Sequence, residues 1–298
     1  LFSKYKALAA SPEYATLSAA RKRIVDNEIR DFRLSGAELP DAQKPRFQAL
    51  QEEGAALAAK FSENLLDATN AHAEIVTDEK DLAGLPADVV EVARASAEKA
   101  GLAGWRFTLH APSYGPVMQY ADNRALRARM YRAYATRASE MSPSGDDSLD
   151  NAPLISRLLQ LRAEEARMLG YRNFAEVSLV PKMAESPEQV LGFLREMARK
   201  ARPFAEKDVA ALRAFARDEL KLDPLEPWDM AWVSEKLMQQ NYAFSDQEVK
   251  QYFTEPKVLA GLFRVVETLF SVTIKPDTAP RWHEDVRFFR IERNNQLV

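Results

Sequence analysis

Apolar residues recur in steps of three and four through most of this chain, the pattern of helices that bury one face. From Phe47 the stripe runs through Leu50, Gly54, Leu57, Phe61, Leu65 and Ala68, and His72 extends it by one more step. An earlier helix carries Leu17, Ile24, Val25, Ile29 and Phe32. Gly36 is placed to end it in a left-handed conformation, with Pro40 just beyond. A third helix spans Pro86 to Ala100, with proline in its first turn. Asp122 or Asn123 caps a fourth, which runs through Ala138 and turns Leu126, Met130 and Tyr134 inward. Ile155, Leu158, Leu159, Ala166 and Leu169 define a fifth, closed by Gly170. Ser186-Pro187-Glu188-Gln189 has the form of a capping box, and the pattern behind it continues through Leu191, Leu194, Ala198 and Ala201. Pro203 is expected to kink or break that helix before Val209, Leu212 and Phe215 resume it. Shorter helices are expected around residues 229–240, 246–252 and 257–270.

Strand signals are few. Residues 74–77 and 105–109 are short β-prone runs flanking the third helix. Residues 286–291 partly alternate and lead into Arg293-Asn294-Asn295, a hairpin turn, after which only Gln296, Leu297 and Val298 remain. A strand leaving such a turn typically runs for about five residues, so this one reads as cut. The amphipathic Leu1–Lys6 likewise reads as the interior of a helix. The expected fold class is therefore mainly α: a multi-helical scaffold with a few short strands and a hairpin, truncated at both ends. Residues 111–116 and the polar stretch 142–151 read as loops. The first separates a segment with strands from an almost purely helical one, which places a domain boundary there and gives units 1–115 and 116–298.

Hydrophobic residues make up 46% and charged residues 29% of the 298, and 41 Lys and Arg against 44 Asp and Glu leave a formal charge of −3. That balance lacks the basic footprint of a nucleic-acid binder. There is no cysteine, which excludes disulfides, thiolate nucleophiles and Cys-type zinc sites, and fits a cytoplasmic location. The most apolar stretch, residues 258–270, is interrupted by Arg264 and Glu267 and is too short to span a bilayer. Neither nucleic acid nor membrane is expected as a partner.

Candidate chemistry is sparse. The three histidines, His72, His110 and His283, are scattered, and Val76, Tyr114 and Arg287 stand four residues after them. No His-Glu-x-x-His zinc helix is therefore present in the sequence. There is no Gly-x-Gly pair, no Gly-Lys-[Ser/Thr] and no Gly-x-Ser-x-Gly elbow. Asp146, Asp147 and Asp150 lack the glycine and terminal glutamate of a calcium loop and read as a solvated turn. Arg124, Arg127, Arg129, Arg132 and Arg137 spread around their helix instead of lining one side. Arg137 lies nearest the inward face. It could receive a carboxylate, but a structural acid partner at the helix end is the simpler reading. His72 could act as a general base, yet a hydrogen-bonded or dipole-stabilised histidine at a helix C-terminus is simpler. Trp228 and Trp232, one turn apart, read as packing. The sequence assigns no catalytic, cofactor-binding or metal-ligating residue.

Longer stretches carry more information than these motifs. They are Tyr14-Ala-Thr-Leu-Ser18, the run from Val25 to Gly36, and Asn64-Leu-Leu-Asp-Ala-Thr69. Pro112-Ser-Tyr-Gly-Pro-Val-Met118, the run from Met130 to Ser139, and Lys182-Met-Ala-Glu-Ser-Pro187 follow, then Pro227-Trp-Asp229 and His283-Glu-Asp-Val-Arg-Phe-Phe289. In this order they resemble the thimet-oligopeptidase family of zinc metallopeptidases, its bacterial members above all. The resemblance implies a largely helical, two-lobed body with a deep channel that admits short peptides. It also implies a zinc bound by a His-Glu-x-x-His helix and a more distant glutamate, the motif glutamate serving as general base. No residue of this chain matches a metal ligand or catalytic residue. The resemblance therefore implies an internal segment of a cytoplasmic zinc oligopeptidase, a non-catalytic part of the channel wall without the zinc motif. Its apolar faces, left by absent helices, are expected to favour self-association. The alternative is a stand-alone helical module that binds peptides or a protein without hydrolysing them.

Overall fold

The computed structural model describes residues 1–243 and 246–298 and is mainly helical. Short α1 (Phe2–Ala9) and α2 (Pro12–Thr16) precede α3 (Ala19–Leu34) and the long α4 (Lys44–Ala71). Ser18 Oγ accepts from the Arg21 backbone N–H to start α3. Gly36, at φ +80°, ends that helix as its position suggests, with the Ala37 N–H donating back to the Phe32 carbonyl. Phe2 and Tyr5 of α1 pack their rings against Phe32.

After α4, β1 (Ala73–Val76), α5 (Ala87–Lys99) and β2 (Trp105–Thr108) form a small unit in which the strands pair antiparallel, Ala73 opposite Thr108. Next come α6 (Ala111–Tyr120) and α7 (Arg124–Thr136), the latter capped by Asn123, whose Oδ1 accepts from the Leu126 N–H. Together these elements enclose the main core, which includes Phe107, Leu109, Val117, Leu126 and Met130. Leu126 and Met130 face inward as the periodicity predicts.

Two readings of local sequence are corrected by the structure. Residues 111–116 are not a loop but the first turns of α6. Pro112 lies in its first turn, where it lacks no donor that the helix would use, and Pro116 lies inside it and removes a single bond. The His110 carbonyl accepts from the Ser113 and Tyr114 N–H groups to begin the helix. Pro203 does not break its helix either. α10 (Pro187–Asp218) runs through it, after α8 (Ala152–Met168) and α9 (Phe174–Leu179). Residues 191–208 are all exposed, so the carbonyl left free by Pro203 is available to solvent. Ser186 caps α10 as expected, but Gln189 reaches back to the Glu185 N–H and not to that of Ser186.

α4 and α8 run antiparallel, joined by two forked ion pairs. Arg46 donates to both carboxylate oxygens of Glu164 at 2.7 Å. Arg157 donates to those of Glu53 at 2.6 and 2.8 Å. Further along, buried Asn64 donates to the Asn151 side chain at 3.0 Å, and Asn151 donates to the Phe61 carbonyl.

The remaining helices are α11 (Met230–Tyr242), α12 (Asp246–Lys250) and α13 (Glu255–Phe270). The described residues divide into two compact units, 1–234 and 235–298. In the second, α13 packs on a three-stranded antiparallel sheet of β3 (Thr273–Asp277), β4 (Phe288–Arg293) and β5 (Gln296–Leu297). Phe263 meets Phe289 edge-on, and Glu267 accepts from the Ile274 N–H. The hairpin at Asn294-Asn295 is present, both residues having positive φ as a type I′ turn requires. β3 was not expected. It covers the other edge of β4, and Lys275 reaches across to Glu292 at 2.6 Å. No helix among the described residues is long and apolar enough to cross a membrane.

Candidate functional site

The arginines of α7 have unequal environments. Arg127, and not Arg137, is the fully buried one. Its Nη2 donates to Asp229 at 2.8 Å, Nη1 to the carbonyls of Ala121 and Asp122, and Nε to the Trp228 carbonyl. Arg124 adds three bonds to the same carboxylate and one to the Pro224 carbonyl, and the Glu226 N–H donates to Asp229 as well. Asp229 raises the Arg124 pKa through these hydrogen bonds. The Trp pair completes this knot. Trp228 meets Tyr131 edge-on, while Trp232 lies under the Arg127 guanidinium and donates to Asp122. Every donor of the knot that has been named is paired, which makes it an anchor for the turn 227–229.

A second constellation is incomplete. Arg137, at the end of α7, stacks its guanidinium 3.7 Å from the centre of the Tyr134 ring, and Tyr134 stacks on Tyr114 at 4.1 Å. Arg137 Nε and Nη1 are buried and meet no hydrogen-bond acceptor among the described residues. The acid partner expected for Arg137 is therefore replaced by an aromatic face. Tyr114 is half-buried against the core. Its hydroxyl pKa is pushed up to about 12, chiefly by burial, with Tyr134 and Tyr131 adding and Arg137 opposing.

His72 does follow α4 as its C-terminal cap, but its environment differs from that of a hydrogen-bonded or dipole-stabilised histidine. Nε2 is buried without a partner, and burial pushes the imidazole below its ordinary pKa, Glu74 partly opposing. The desolvated, neutral ring favoured here is the opposite of a protonated histidine stabilised by the helix end. His72 and Arg137 line one cavity of about 270 Å³ together with residues of the 142–149 loop. Neither residue was linked to the other by the sequence. Such a link needs the chain to return from α7 to the end of α4, and no spacing motif encodes that.

The other candidates are ordinary. His110 caps α6 at its N-terminus, and His283 is exposed, its Nδ1 accepting from the Asp285 N–H. Asp146 Oδ1 accepts from the Ser148 N–H and hydroxyl, and Asp150 from the Ala152 N–H, the roles of turn and helix caps. Among the described residues no three His, Asp or Glu side chains group closely enough to hold a metal ion, so they do not fit a zinc centre. A larger groove of about 440 Å³ beside residues 171–187 is lined by Glu176 and Lys182, which are engaged by Arg172 and Ser178.

Comparison with known proteins accounts for the whole chain. Residues 1–44 match the N-terminal domain described for neurolysin and thimet oligopeptidase. Oligopeptidase A of Escherichia coli is 46% identical over 299 residues, a match that takes in 100% of this chain and 44% of that protein. A probable cytosolic oligopeptidase A of Arabidopsis thaliana is 40% identical over 98% of the chain and 42% of its own length. The dipeptidyl carboxypeptidase of E. coli is 29% identical over 99% of the chain and 43% of its length. The chain thus spans less than half the length of these relatives. Residues 117–297, well over half of the sequence, match peptidase family M3, and the chain belongs to that family.

Proposed function

We propose that this chain is the non-catalytic frame of a zinc-dependent oligopeptidase that hydrolyses short peptides. The observation that carries the reading is the match over the full chain to oligopeptidase A, which takes in only 44% of that protein. In this reading the zinc ligands and the general base belong to the portion of the relatives that the chain does not match. The three histidines, standing at a helix end, a helix start and an exposed turn, serve the frame. The segments 1–115 and 116–298 correspond to the end of an N-terminal helical domain and the opening of the catalytic domain, which together wall a peptide channel.

Two amphipathic helices support the reading. Leu194, Met197 and Phe204 share one exposed face of α10, and Val258, Leu262, Val265 and Leu269 share one exposed face of α13. Faces of this kind are built to be covered. The reading also places the protein in the cytoplasm, as the absence of cysteine suggests and as one relative's name states for that relative.

Extending the coding sequence past Val298 tests the proposal. A His-Glu-x-x-His helix within the next few hundred residues is the expected result. A stop codon directly after Val298, or an extension without that motif, would overturn it.

A further inference from the structure

We draw no further inference here: the strongest candidate, the exposed apolar face that Leu194, Met197 and Phe204 form on α10, carries none because nothing in the structure shows what covers it.

Discussion

Arg127 and Asp229, 102 residues apart in sequence, meet at 2.8 Å with neither side chain reached by solvent. Their pairing ties α7 to the turn that leads into α11. An ion pair of this kind is strong evidence of geometry and weak evidence of net stability, since desolvation offsets much of the attraction. Removing one partner is a different matter, because it strands the other charge.

Asp229→Asn should therefore destabilise the chain by about 3–5 kcal/mol, read from the urea midpoint with an unchanged slope. Arg124→Gln removes a partner that is 41% exposed, and should cost only about 1 kcal/mol. Equal losses for the two would mean that the knot is not organised around the buried pair.

Glycine gives a contrasted pair. Gly104 precedes β2 at φ +94°, and a Cβ there would stand 2.2 Å from the Val76 carbonyl oxygen. Gly54 lies within α4, where an added methyl would meet nothing within 4 Å. Gly104→Ala should lower the melting temperature sharply, whereas Gly54→Ala should raise stability by about 0.5–1 kcal/mol.

Tyr114 predicts an alkaline transition. Its folded pKa of about 12 lies above the ordinary 10.0, so the folded state holds the proton more tightly. The stability this contributes is complete below pH 10 and is lost as the pH rises towards 12. Ultraviolet titration should show a tyrosine component ionising near pH 12, and Tyr114→Phe should remove that component and flatten the loss of stability above pH 10.

The exposed faces of α10 and α13 predict association of the isolated chain. Its apparent mass in solution should rise with concentration, and Leu194→Glu with Phe204→Glu should reduce that rise. A monomer at all concentrations would show that these faces are tolerated in water.

Local chemistry made much of this fold legible. Asn123 and Ser186 each cap the helix their sequence context indicates, and Gly36 and Gly170 end theirs at positive φ. The Asn294-Asn295 hairpin followed from its residues alone. What failed was the weighing of proline. Pro112 falls at a helix start and Pro203 in an exposed stretch, where the cost of a missing N–H is smallest, and α6 runs through Pro116 at the loss of one bond. β3 was missed because Lys275 and Pro276 interrupt its alternation, and only pairing with β4 reveals it. Burial of Arg127 was invisible for a similar reason. Its partner Asp229 lies in a distant turn, and helical periodicity alone places a charged residue outward.

The direct test of the proposed function is hydrolysis of internally quenched peptides by the purified 298-residue chain, with and without added zinc. A non-catalytic frame should leave the peptides intact under both conditions. Cleavage that depends on zinc and stops with a chelator would contradict the account.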